Sequence, residues 1–231
     1  MSFTDLATLH RSRHGLHAVA EHVMAAARYQ RDGHISLVAW PGGIATPRLD
    51  TPAGPWQVRV EGTDLVVEDG DDLRRAPLTT LAAAGELVGI APGAPAQVYT
   101  PATPLEPHAP LGCDPAATAY VASWYALVDE ALGRLGGDGV AKLWPEHFDL
   151  AATIDEINYG GSPGDAAHDE PYLYVGPWSP PPPDGRFWNE PFGASRDSSR
   201  VRSADDALAF YREGLDQMRS SSPPSNSGRT P

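Results

Sequence analysis

Leu143–Trp178 reads LWPEHFDLAATIDEINYGGSPGDAAHDEPYLYVGPW, and its patterning decides whether the centre of this chain is helical or sheet-built. Phe148, Leu150, Ala152 and Ile154 alternate with His147, Asp149, Ala151 and Thr153. That is the period of a strand, so residues 147–154 are expected to bury the first set and turn the second to the opposite face. Leu173 and Val175 alternate in the same way with Tyr172 and Tyr174. If these two strands pair, residues 155–170 are the loop that connects them, and Gly160 and Gly161 form a glycine-rich turn.

This stretch also holds the densest polar chemistry of the chain. His147 and Asp149, two apart on one strand, stand about 7 Å apart at the backbone and point the same way. An imidazole and a carboxylate so placed can converge on one metal ion or one substrate. Glu146, Asp165, His168, Asp169 and Glu170 approach from the neighbouring loop and complete a mixed N/O set suited to a divalent metal such as Zn, Mn or Fe. The candidate metal ligands are therefore His147, Asp149, His168 and Glu170, with Glu146 as general base. Their spacing is not diagnostic, and a solvated strand edge beside an acidic loop accounts for the same letters. Trp144, Tyr159, Tyr172, Tyr174, Trp178 and Trp188, with Phe187, crowd the same region. Lining a cleft, they suit a flat or apolar small molecule oriented by the carboxylates; packed inward, they are simply core.

Gly160–Gly164 (GGSPG) fits the letters of a hydrolase nucleophile elbow around Ser162. The residue after such a serine must offer a backbone N–H to an oxyanion, and Pro163 has none. His10, His14, His17 and Glu21 share one stripe of the first helix but span about 16 Å of its axis. They cannot all reach one ion, and a polar helix border explains them.

Outward from the centre, the remaining elements follow from caps and periodicity. Thr4 and Asp5 start a first helix that runs to Gly33 with a bend at Gly15; Asp114-Pro115 starts a second, stopped by Gly136 and Gly137. Ser203 starts a third, and Thr79 or Thr80 caps a short one ending at Leu87. Residues 34–40, 56–61 and 65–68 read as strands, the last two joined as a hairpin across Gly62-Thr63. The expected fold is α+β, a largely antiparallel sheet packed against three amphipathic helices (4–31, 115–135 and 203–219). It forms a single domain over residues 1–219, followed by a disordered Ser/Pro-rich tail at 220–231.

With 17 Lys and Arg against 30 Asp and Glu, the net charge is −13. That acidic field argues against nucleic-acid and anionic-membrane partners. Cys113 is the single cysteine, which excludes an internal disulfide or a cysteine-cluster zinc site and fits a reducing compartment. The N-terminal residues lack the apolar core of a signal peptide and no run is long enough to span a membrane, so the expected location is cytoplasmic.

The segments LWPEHFDLA (143–151), NYGGSPGD (158–165), EPYLYVGPW (170–178) and FWNEPFGA (187–194), with TPATPLEP (100–107), resemble those of a group of uncharacterised actinobacterial proteins. The similarity extends from about His14 to Gly214. It implies a bacterial source and a cytoplasmic compartment, and carries no activity with it. Two functions remain open: a binding module for a small molecule or protein partner on the aromatic and carboxylate surface at 144–192, or a metal-assisted hydrolase in the same region.

Overall fold

The computed structural model describes residues 3–136, 141–181 and 186–221. The expected stop at Gly137, Pro182 and Pro183 of the Pro180–Pro183 turn, and the tail from 222 onward lie outside them. The chain begins with a helical rod: α1 (Leu6–Val19), a π-helical segment (Ala20–Ala25) and α2 (Ala26–Asp32). Asp5 caps its start by accepting from the Thr8 N–H, and Gly33, in the left-handed conformation, ends it. Gly15 sits inside regular helix, against the Leu111 carbonyl, so the irregularity falls at the π segment and not at the glycine. Nor is the rod amphipathic throughout, because residues 18–28 are buried on every side.

A first antiparallel sheet follows, from β1 (Val38–Trp40), β2 (Gly43–Ala45), β3 (Leu49–Thr51), β4 (Gly54–Glu61), β5 (Asp64–Asp69) and β6 (Asp72–Pro77). The β4–β5 hairpin closes with Glu61 opposite Asp64, as the Gly62-Thr63 signal predicts. The sequence pattern misses β6, an edge strand whose Leu73, Arg74 and Arg75 do not alternate and mostly face solvent. Then come α3 (Leu81–Val88), capped by Thr80, and α4 (Pro115–Leu135), capped by Asp114 through the Ala116 and Ala117 N–H groups. The second sheet has the order β11-β10-β9-β8-β7, from β7 (Lys142–Trp144), β8 (Asp149–Ile154), β9 (Ile157–Ser162), β10 (Tyr172–Pro177) and β11 (Ala194–Asp197). The chain closes with α5 (Ala204–Ser221), for which the Ser203 hydroxyl accepts from the Asp206 N–H.

Two expectations for the central stretch are corrected. First, β8 and β10 do not pair: β9 lies between them, formed from residues expected to be loop. Its hairpin with β8 turns on Asp155 and Glu156, both at positive φ (52° and 61°) as a two-residue primed turn requires. Gly160 and Gly161 are strand residues, and their lack of a side chain makes room on both faces of the sheet. A Cβ on Gly160 would lie 2.5 Å from the Tyr174 hydroxyl and 2.7 Å from the Leu150 carbonyl oxygen, and one on Gly161 would collide with Val128 of α4. Second, the strand starts at Asp149 and not at His147. Trp144–Phe148 is a tight turn ending in left-handed Phe148 (φ 52°), so His147 sits on the turn and is exposed.

One apolar cluster draws on the rod, α3, α4, α5 and both sheets. Helix α4 lies against β1 and β2 of one sheet and β8 and β9 of the other, and a bridge between Leu37 and Leu143 joins the sheets at their edges. Side-chain alternation then divides the second sheet. Leu150, Tyr159, Gly161, Leu173 and Val175 pack toward α4 and α5, where Tyr159 meets Tyr211 edge-on at 5.8 Å. Asp149, Asn158, Ser162, Tyr172 and Tyr174 occupy the other face.

Candidate functional site

That second face is the floor of a cleft of about 1100 Å³. Asp149 (β8), Asn158 and Ser162 (β9), and Tyr172, Tyr174 and Gly176 (β10) pave it. His10, Arg13, His14 and His17 of α1 form one wall, with Ala102 and Thr103 beside them. Glu146, His147 and Phe148 come from the strained turn. Trp178 to Pro181, with Pro191 and Phe192, form the opposite rim, where Trp178 (66 % exposed) and Phe192 (44 %) stand at the mouth.

Asp149 is the deepest charged group on the floor, 8 % exposed. The Tyr174 hydroxyl donates to its Oδ2, while Oδ1 is buried and has no hydrogen-bond partner. Burial pushes the Asp149 carboxyl above the usual carboxylate range; the Tyr174 hydroxyl and His147 draw it back, and nearby Glu146 raises it further. Glu146 carries a second buried, unpartnered oxygen, Oε2. Unpaired buried carboxylate oxygens are costly, and both belong to residues that line the cleft. Burial, then the Asp149 charge, pushes the Tyr174 hydroxyl far above its ordinary value, so it stays a donor.

Asp165 contrasts with them because both its oxygens are engaged. Its Oδ1 accepts from the Ala167 and His168 N–H groups at 2.7 and 2.9 Å, and its Oδ2 accepts from the Tyr172 hydroxyl at 2.7 Å. Although burial opposes it, these bonds hold its carboxyl below the usual range. Arg13 is likewise engaged, donating to the carbonyls of Asp169 (3.1 Å), Asp165 (3.3 Å) and Pro163 (3.4 Å). Burial lowers the pKa of His17, whose Nε2 lies 2.7 Å from the Pro145 carbonyl and whose ring stacks on Phe148 at 4.8 Å. Left-handed Phe148 is thus clamped by His17, by the Tyr125 ring and by the Tyr125 hydroxyl, which donates to its carbonyl at 2.7 Å. Such strain beside a cleft persists only when its surroundings over-determine it.

The α1 wall is tied to the 93–103 loop by the π segment. Glu21, fully buried, accepts from the Ala102 N–H (2.8 Å), the Thr103 N–H (2.8 Å) and the Thr103 hydroxyl (2.6 Å). Its neighbour His22 accepts from the Ala94 N–H at Nδ1, while the His22 carbonyl takes the Gly93 N–H at 2.9 Å. Two consecutive residues reach one loop, and a helix carbonyl is released to it, because the π turn interrupts the regular i to i−4 pairing.

Of the residues singled out from sequence, Glu146, His147, Asp149, Asp165, Tyr172, Tyr174 and Trp178 line the cleft. Tyr159 and Trp188 are core, on the helix side of the sheet and against Phe187 respectively; Trp144 packs under Lys142, away from the cleft. His168 stacks on Tyr172 and lies 3.4 Å from Glu190 and 3.6 Å from Asp165; neither it nor Glu170 lines the cleft. Among the described residues no three His, Cys, Asp or Glu side chains are grouped so as to hold a metal ion. Ser162 is buried in β9, its hydroxyl bonded to Gly164, with no helix following. Sequence reasoning missed the histidine wall, Asn158 and Phe192. The stripe His10, His14, His17 was visible, but not what it faces.

Gly160 gives the floor its shape, so Gly160→Ala is expected to cost about 1–3 kcal/mol by over-packing against Tyr174 and the Leu150 carbonyl. Urea unfolding measures it, and a change below about 0.5 kcal/mol would show that the close approach is not real. No helix among the described residues is long and apolar enough to cross a membrane. No family model, curated protein or solved structure matches the chain, so the geometry of the cleft carries the functional argument.

Proposed function

We propose that this chain binds a small organic molecule in the cleft between α1 and the open face of the second sheet. The observation that carries the reading is the pairing of incomplete polar groups at the base with ordered aromatic surface at the mouth. Asp149 Oδ1 and Glu146 Oε2 lack partners, and Trp178 stands exposed yet fixed, its indole N–H donating to Asn158 Oδ1 at 3.3 Å. Asn158 is itself held by the Thr153 hydroxyl at 2.7 Å. A volume of about 1100 Å³ accommodates a metabolite-sized ligand with room for water. The metal-assisted hydrolase alternative draws no support from ligand grouping, and binding requires no geometry beyond what is present. On this reading the protein works in a reducing cytoplasm, where Cys113, its thiol pushed up to about 11 by burial, stays unreactive.

The test is native mass spectrometry and tryptophan-fluorescence titration of the full chain against a library of aromatic, heterocyclic and amine-bearing metabolites. Saturable one-to-one binding is expected. Trp178→Ala should weaken it by about tenfold while leaving the melting temperature nearly unchanged, since the side chain is mostly exposed. A library with no saturable member, or hits indifferent to Trp178, would remove the cleft from consideration and turn attention to a protein partner.

A further inference from the structure

The charge pattern of the cleft selects among small molecules. Among its described lining residues there is no lysine, and the single guanidinium, Arg13, is committed to three backbone carbonyls. Beside the remaining N–H groups of Arg13, an anionic ligand would meet imidazoles: His10 sits at the Asp169 carbonyl, His17 at the Pro145 carbonyl, and His14 and His147 are exposed. The negative side is the unfilled one. Both oxygens of Asp165 are engaged by its own loop and Tyr172, whereas the cleft-lining Asp149 and Glu146 each keep a buried oxygen with nothing donating to it.

The aromatic surface points the same way. Elsewhere in the described residues the chain's own cations cover aromatic faces: Arg59 over Trp40, Arg31 over Trp56, Lys142 over Trp144 and Arg196 over Phe210. Among the described residues no cation covers Tyr174, Phe192 or Trp178, although Tyr174 and Phe192 are ordered edge-to-face at 6.5 Å and Trp178 is pinned by Asn158. Ring faces near uncompensated carboxylates are a cation site in which the cation is supplied from outside.

Resting on the small-molecule reading above, we infer that the ligand is an organic cation, a primary or secondary ammonium group on an apolar body. Its N–H groups donate to the carboxylates of Asp149 and Glu146, and its body lies against Tyr174, Phe192 and Trp178. Each charge-assisted hydrogen bond to a carboxylate is worth about tenfold or more in affinity over a neutral donor. Net charge adds attraction: at −13 the whole molecule draws cations toward the cleft.

The experiment is isothermal titration calorimetry with three probes sharing one body: 2-phenylethylammonium, 2-phenylethanol and phenylacetate. The ammonium should bind about tenfold tighter than the alcohol or better, with phenylacetate weakest. Asp149→Asn, and separately Glu146→Gln, should erase most of that preference while leaving alcohol binding within about threefold; thermal melts of both variants verify folding. Equal affinity for alcohol and ammonium, tighter phenylacetate, or a preference untouched by both variants would overturn the cationic assignment and leave the cleft reading intact. Absence of binding by all three probes overturns the cationic assignment as well, and the cleft reading then stands or falls on the library hits and their response to Trp178→Ala.

Discussion

Glu21→Ala is expected to destabilise the protein by about 3–4 kcal/mol and to lower its melting temperature by about 10 °C. The carboxylate is fully buried and accepts three hydrogen bonds from Ala102 and Thr103. Removing it strands two backbone N–H groups and a hydroxyl, each costing about 1–3 kcal/mol when left unsatisfied; water entering from the cleft recovers part of that sum. Glu21→Gln keeps one acceptor but turns an amide N–H toward donors, so an intermediate loss of about 1–2 kcal/mol is expected. The damage should also reach the ligand, because Ala102 and Thr103 line the cleft. Denaturant unfolding at neutral pH decides: if Glu21→Ala costs no more than an exposed glutamate does elsewhere, the π segment does not anchor the 93–103 loop.

Asp149→Asn should do the opposite, stabilising the protein while removing the preference for an ammonium ligand. Burial raises the folded-state pKa of this carboxyl above its unfolded value of about 3.9. The sign follows from linkage: the favourable contribution of protonated Asp149 is fully present below about pH 4 and is lost as pH rises through the folded value. As pH rises the wild type increasingly carries an ionised, half-paired group that asparagine never becomes. The asparagine carbonyl still accepts from Tyr174, so Asp149→Asn should gain about 1–2 kcal/mol at pH 8, shrinking toward zero at pH 4. Urea midpoints across that range measure it. A variant less stable than wild type at pH 8, or a gain independent of pH, would show that the carboxylate is there for the fold. Stability given up at a site and recovered by mutation is the behaviour of a group kept for binding.

Much of the architecture was legible from local chemistry. Asp5, Thr80, Asp114 and Ser203 start the helices that their side chains announce, and Gly62-Thr63 turns the hairpin it was read to turn. The alternation in 149–154 and 172–175 correctly separated Leu150, Leu173 and Val175 from Asp149, Tyr172 and Tyr174. That separation put three floor residues on one face before any fold was known.

What failed did so for identifiable reasons. Strand β9 was hidden because Gly160 and Gly161 carry no apolar pattern; their sites are filled by Tyr174 from one side and Val128 from the other, neither of them a sequence neighbour. Tyr159 and Trp188 looked like ligand residues because aromatic letters do not say which face they take. The histidines of α1 looked like a polar border because the turn and floor beside them, Glu146 to Asp149, are more than a hundred residues away. Caps, turns and face alternation are set by atoms within a few residues, so the sequence alone determined helices, hairpins and the polarity of each strand face. The cleft arises where a helix from the first thirty residues crosses a sheet from the last ninety. Which carboxylate oxygens stay unpaired there depends on partners brought by long-range packing, and only the tertiary structure decided that.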